Sequence, residues 1–221
     1  LTRKPIFDYM VRIFEGFVFN DRVFLVFEFF SMGSCKDLVS KSFTINKRRG
    51  LSEEVTLYIF RQLLACFSKI ASEKVLINRL SIEDIFFTAA GEVKILCIDV
   101  GEAFHQYFNK SKKQGNSYMY SMPPEYITND IVSSTYYSWV LGMILYEMIE
   151  GRTPFRDPQS PIAIFDIVSP NSITLNNQCS DSVKRLVLSC LHKNHKERIA
   201  LESIMEITTS LTGSSKSTTL V

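Results

Sequence analysis

The segment Trp139-Val140-Leu141-Gly142-Met143-Ile144-Leu145-Tyr146-Glu147-Met148-Ile149 sets the strongest limit on what this chain can fold into. A helix lying on a protein surface is apolar along one stripe and polar elsewhere. This segment is apolar almost all the way round, so a helix here must be enclosed by the rest of a domain. It is too short to span a bilayer, and it ends among Glu147 and Glu150. Gly151-Arg152-Thr153-Pro154 stops it, since glycine caps a helix and proline cannot continue one. Enclosing a helix on every side takes a sizeable body. A length of 221 residues with a hydrophobic share of 46% suits one such domain.

The residues before it divide into recognisable pieces. Met10 to Phe30 reads as a β-hairpin, with apolar Val11, Ile13, Phe17, Val23, Leu25 and Phe27 and a turn at Asn20-Asp21. Ser31-Met32-Gly33-Ser34 breaks the strand, and a short helix begins near Lys36. Lys41 to Gly50 is polar and basic and reads as a loop. Ser52 is an N-cap, with Glu53 and Glu54 placed to meet the positive end of a helix dipole. Val55, Ile59, Leu63, Cys66, Phe67 and Ile70 follow at helical spacing. Ile85 to Phe87 and Val93 to Leu96 form two short strands around Ala89-Ala90-Gly91. Glu102 to Ser121 is polar and irregular. After the apolar segment, helices are expected at about 161–167, 182–191 and 201–211, then a Ser/Thr-rich flexible tail from Thr212 to Val221.

Composition narrows the function classes. A net charge of +2 gives no whole-chain argument for nucleic acid or an anionic membrane. The start, Leu1-Thr2-Arg3-Lys4, leads into an amphipathic stretch and not a signal peptide. Cys35, Cys66, Cys97, Cys179 and Cys190 are odd in number and contain no C-x-x-C, which favours reduced thiols in an intracellular, cytoplasmic protein. His192 and His195 have no carboxylate-histidine set beside them that would make a metal site.

One loop carries more chemical information than any other. Ile77-Asn78-Arg79-Leu80-Ser81-Ile82-Glu83-Asp84-Ile85-Phe86-Phe87 resembles the protein-kinase catalytic loop, H-R-D-L-x-x-x-N followed by apolar residues. Five further segments resemble the same family in the same order. Phe24 to Phe30 is similar to the last small-lobe strand and hinge, followed by Gly33. Phe60 to Leu64 matches the helix before the loop, and Pro123-Pro124-Glu125 resembles the A-P-E motif. Trp139 to Met148 is similar to the central helix, with Gly151 to Phe155 after it. Glu197-Arg198-Ile199 resembles a late helix start. Together they cover about residues 5 to 210. The resemblance implies an α+β protein-kinase-like fold in three parts. Residues 1–30 hold the hairpin of the small lobe and the start of the hinge, 31–211 the helical large lobe, and 212–221 the tail. It also implies a buried Glu125–Arg198 ion pair, beside Tyr137 and Trp139 as structural residues.

Tested against that family, the chemistry is incomplete. The base position holds Arg79, whose guanidinium has no acceptor and does not deprotonate in proteins. The histidine position holds Ile77. The aspartate that would anchor the loop, two residues before Trp139, is Tyr137. The glycine-rich loop, strand lysine and helix glutamate would precede Pro5-Ile6-Phe7, and no G-x-G-x-x-G occurs in the 221 residues. Asp84 stands at the asparagine position, where a carboxylate can still bind Mg²⁺. The second metal position is Cys97 in an ungapped register or Asp99 in Asp99-Val100-Gly101 with two extra residues. A thiol is a poor ligand for a hard cation. Phe27, Glu28, Phe30 and Phe86 would border an adenine pocket. The residues before Pro123 place Tyr118 where a threonine is usual, and Ser117, Tyr118 and Tyr120 are exposed-loop hydroxyls that another kinase could modify.

Three functions follow from the resemblance. The first is a pseudokinase that acts as a scaffold or an allosteric partner of an active kinase. The second is an atypical ATP-dependent Ser/Thr kinase using Asp84 and Asp99 with Mg²⁺. The third is a truncated gene product without an independent role. Protein partners fit the first reading. The end Thr219-Leu220-Val221 also matches the short pattern that adds to the sheet edge of a PDZ domain.

Overall fold

In a computed structural model, the structure describes residues 8–20, 22–73, 77, 80–96, 121–155, 166–169, 173–177 and 179–213. Strands β1 (Ile13–Phe19) and β2 (Arg22–Phe27) form an antiparallel hairpin. Helices α1 (Cys35–Asn46) and α2 (Glu53–Ser72) follow, and then a second hairpin of β3 (Ile85–Phe87) and β4 (Val93–Ile95). Further helices among the described residues are α3 (Pro124–Asn129), α4 (Tyr136–Glu150), α5 (Asp181–Cys190) and α6 (Leu201–Gly213).

The first hairpin pairs Phe17 with Phe24, stacked at 5.3 Å, and every β1 residue is exposed. Met10 belongs elsewhere. It bridges Ile95, and the Val11 amide donates to the Ile95 carbonyl at 2.9 Å. The incoming chain is thereby tied to the second hairpin. That hairpin is held to α2 by Gln62, whose amide donates to the Gly91 carbonyl and accepts from the Val93 amide.

Helix α1 corrects one sequence expectation. It runs to Asn46, so most of the stretch 41–50 expected as a loop is helical up to that point. Hydroxyls along this helix turn back onto its own carbonyls. Ser40 donates to the Lys36 carbonyl and Thr44 to the Ser40 carbonyl. Val39 supplies a buried inner contact, and Ser34 with Asp37 forms a complete capping box at the start.

The core centres on α4. Every α4 residue except Tyr137 is buried, including Tyr146, Glu147 and Glu150. Helix α2 packs on it with Phe60, Leu63, Phe67 and Ile70, and α5 packs with Val183, Val187 and Cys190. The α4–α5 approach is close because Gly142 has no side chain, and a Cβ there would sit 2.6 Å from the Cys190 Cβ.

The end of α4 fixes two neighbouring loops. The Leu51 amide donates to the Met148 carbonyl at 2.7 Å, and the Asn177 side chain donates to the Ile149 and Arg49 carbonyls. Glu150 accepts the Asn176 and Asn177 amides at 2.7 Å each. Gly50 makes this possible. It holds φ at 76° with its α-carbon against the helix end, where a Cβ would lie 1.9 Å from the Ile149 carbonyl oxygen.

Gly50→Ala should therefore destabilise the protein by more than the roughly 1–2 kcal/mol of a left-handed alanine alone. Urea unfolding would measure this. A variant as stable as the parent would show that the loop at Gly50 is not locked to α4.

Candidate functional site

Local pairing places the loop before β3. The Asp84 carboxylate accepts the Ser81 amide at 2.9 Å and the Ser81 hydroxyl at 3.0 Å, closing a tight turn. The Asp84 carbonyl accepts the Leu96 amide at 2.7 Å, which ties the turn to the segment after β4. Ile77, Leu80 and Ile82 are buried, so the loop is pinned by apolar side chains. The Lys36 amide donates to the Ile82 carbonyl, and Ser34 bridges Phe86, so α1 rests on this loop. Arg79, Cys97 and Asp99 lie outside the described residues, as do Ser117, Tyr118 and Tyr120.

Beneath the loop sits a residue that sequence reasoning passed over. Glu147 is buried in α4, below the segment that carries Ile82. Burial pushes its carboxyl up to about 8. Glu83 and Asp84 add to the rise, while Lys36 and the Ile82 amide oppose it. The available signal was a lone carboxylate inside an apolar run. Such a group is costly unless it is neutral or hydrogen-bonded.

Phe30 stacks on Phe86 at 5.1 Å, and Phe27 lies 6.2 Å from Phe86, so the structure brings three of these rings together. Glu28 faces the hairpin. Its amide donates to the Arg12 carbonyl at 3.0 Å and its carboxylate accepts the Arg12 amide at 2.7 Å. The Phe30 carbonyl accepts the Gly33 amide. Tyr137 is half-buried, with its ring edge-on to Phe67 at 5.4 Å.

Glu125 and Arg198 form a bidentate pair at 2.7 and 2.8 Å, with side chains 5% and 0% exposed. The Arg198 Nε donates to the His192 carbonyl at 2.9 Å, and its remaining N–H groups reach the Thr135 and Lys193 carbonyls. Ser133 donates to Glu125 at 2.7 Å. The guanidinium carbon lies 5.1 Å from the Trp139 ring centre, and Trp139 stacks on Phe155. Burial alone would raise the Glu125 carboxyl, but hydrogen bonds from Arg198 and Ser133 outweigh it and hold it below the usual range.

A groove of about 580 Å³ opens between α5 and α6, lined by Arg185, Leu186, Glu206 and Ile207 among others. It shares no lining residue with the 80–87 loop or with Glu147, so the loop, not this groove, is the candidate site.

Comparison with known proteins agrees with this architecture. The family model described as "Protein kinase domain" matches residues 2–208, and the chain belongs to the protein kinase family. It is 28% identical over 196 residues to an Aurora kinase of Dictyostelium discoideum, covering 89% of this chain and 48% of that protein. It is 26% identical over 203 residues to CBL-interacting protein kinase 31 of rice, Oryza sativa subsp. japonica, covering 89% of this chain and 43% of that protein. It is 24% identical over 207 residues to mitogen-activated protein kinase kinase 1 of Arabidopsis thaliana, covering 90% and 56%. The chain thus spans about half the length of the curated relatives it matches. Among the described residues, no helix is long and apolar enough to cross a membrane.

Two outcomes are expected. Glu125→Ala should cost about 3–5 kcal/mol in urea unfolding, because it strands a buried guanidinium. A loss near zero would mean that water replaces the carboxylate. For Glu147, the raised folded value means its contribution to stability is full below 4.5 and is lost as pH rises through about 8. Glu147→Gln keeps the size and shape of the side chain and removes the titration. Its stability relative to the parent should rise steadily from about pH 5 to about pH 9. A difference that does not change with pH would contradict the buried-carboxyl account.

Proposed function

We propose that this chain is a pseudokinase domain that works by binding other proteins, as a scaffold or as an allosteric partner of an active kinase. Arg79 carries the reading. Phosphoryl transfer in this family needs a carboxylate there to accept the substrate hydroxyl proton, and a guanidinium cannot take it. In this reading residues 1–30 are the hairpin of the small lobe and the start of the hinge, 31–211 the helical lobe, and 212–221 a tail. Glu125, Arg198, Trp139 and Tyr137 hold its shape.

Three local commitments support it. An Asp84 oxygen already accepts two hydrogen bonds from Ser81, which disfavours Mg²⁺ on that atom. The Glu28 amide is spent on Arg12, and Phe86 is packed against Phe30 where adenine would be received. Tyr137 gives its ring to Phe67, and a phenol is no substitute for an ionised acceptor of loop amides. The residues thus fit ATP and Mg²⁺ poorly. When bound, those groups would bring the phosphoryl donor and neutralise its charge.

The second reading, an atypical Ser/Thr kinase, draws on Asp84 as a carboxylate at the asparagine position, on Asp99, and on the relatives named as kinases. Incubating the full native chain with ATP, Mg²⁺ and a generic protein substrate separates the two. Mass spectrometry should find no phosphate added to substrate or chain. Nor should ATP with Mg²⁺ give the stabilisation of about 2.7 kcal/mol expected at a hundred times a dissociation constant. Phosphate transfer that Asp84→Ala abolishes would overturn the proposal.

A further inference from the structure

The first hairpin carries a surface that the kinase reading does not use. Among the described residues β1 pairs with β2 alone, so its outer edge presents backbone amides and carbonyls that no strand covers. Every residue of β1 is exposed, among them Phe14 at 57%, Val18 at 67% and Phe19 at 61%. Natural edge strands are blunted by lysine, proline or a bulge. The run Ile13-Phe14-Glu15-Gly16-Phe17-Val18-Phe19 holds one charge and neither lysine nor proline. Its irregularity in register falls between Ile13 and Glu15, which leaves Glu15 to Phe19 regular. A two-stranded hairpin is marginally stable in water unless further strands or a helix support it.

Register sorts the side chains of this hairpin. Successive strand residues point to opposite faces, so Glu15, Phe17 and Phe19 share a face with their partners Val26, Phe24 and Arg22. On that face Phe17 stacks on Phe24 at 5.3 Å. Phe17 is the middle residue of the regular run. A second β1 laid antiparallel, with Phe17 opposite Phe17, turns the stacked pair into a row of four rings across four strands. Glu15 then stands opposite Phe19 of the second copy, in the row that Arg22 of that copy ends. Glu15 and that arginine are two strand spacings apart, about 10 Å at the backbone, which their long side chains span together. The two Glu15 carboxylates are offset by four residues, about 13 Å along the strands.

We propose that β1 joins β1 of a second copy in this register, making a symmetric dimer with a four-stranded sheet. A two-fold axis brings the same strand to both sides, so the association closes at two chains. A strand of another protein would have to bring its own aromatic ring for Phe17 and its own cation for Glu15, and this chain supplies both. The exposed apolar side chains of β1 offer on the order of 500 Å² on each copy, below the roughly 800 Å² of a standard interface. The dimer is therefore a weak one, with a dissociation constant of roughly ten to a hundred micromolar. It does not depend on whether the chain transfers phosphate.

Sedimentation velocity of the full chain, from about one to a few hundred micromolar, tests this. The parent should pass from monomer to dimer across that range. Phe17→Lys sets two like charges opposite each other and should weaken the dimer at least about ten-fold, as should Phe17→Glu. An equal mixture of the two variants should restore a dimer, because the facing charges then attract. Phe17→Cys should give a disulfide-linked dimer under mild oxidation, beyond any seen with the parent, since facing residues of an antiparallel pair sit within disulfide reach. Phe19→Cys should not, and unchanged melting temperatures confirm that the variants fold. A parent that stays monomeric throughout would overturn the proposal. So would a dimer that both charge variants leave intact, a mixture that stays monomeric, or equal cross-linking by the two cysteine variants.

Discussion

Complete enclosure of α4 is the constraint on which the rest of this structure depends. A helix with no solvent face gains a large apolar burial, but its polar ends must then find partners inside the protein. At its C-terminus those partners come from two distant loops: Leu51 on the Met148 carbonyl and Asn177 on the Ile149 carbonyl. Glu150 returns the favour by accepting the Asn176 and Asn177 amides. The loops at 47–51 and 173–177 are therefore placed by the hydrogen-bonding needs of one helix end. The same demand explains Gly50, since no side chain fits between that loop and the helix.

At the other end, α4 meets the Arg198 cluster. A buried guanidinium is expensive, and this one is tolerated because its donors all meet acceptors. Its partners lie on three separate segments: Glu125 in α3, Thr135 just before α4, and His192 and Lys193 after α5. Trp139 covers the flat face of the group from within α4. The pair thus works as a junction of segments remote in sequence, and its charge is secondary to its geometry.

Between these ends, Glu147 lies buried within electrostatic reach of Lys36, Glu83 and Asp84. A protonated carboxyl suits that place, because the surrounding protein is apolar and the nearest acids are Glu83 and Asp84. The loop above it is held by buried Ile77, Leu80 and Ile82.

Much of this was legible from local patterns. The enclosed helix, the Ser52 cap on α2 and the turn at Gly91 follow from periodicity and backbone preference, which are properties of neighbouring residues. The helical course of 41–46 was not legible, because Ser40 and Thr44 satisfy themselves on the preceding turn and Val39 is needed underneath. Nor was the stacking of Phe30 on Phe86 or the edge-on contact of Tyr137 with Phe67, each of which joins residues from distant segments. The order of residues by itself determined the family, since its motifs are readable as letters in a spacing. Only the tertiary structure decided that Glu147 is buried beneath that loop, that Asp84 is committed to Ser81, and that β1 is left exposed along its length. Burial and partnership are set by what packs on a residue, and that depends on chain segments far from it in sequence.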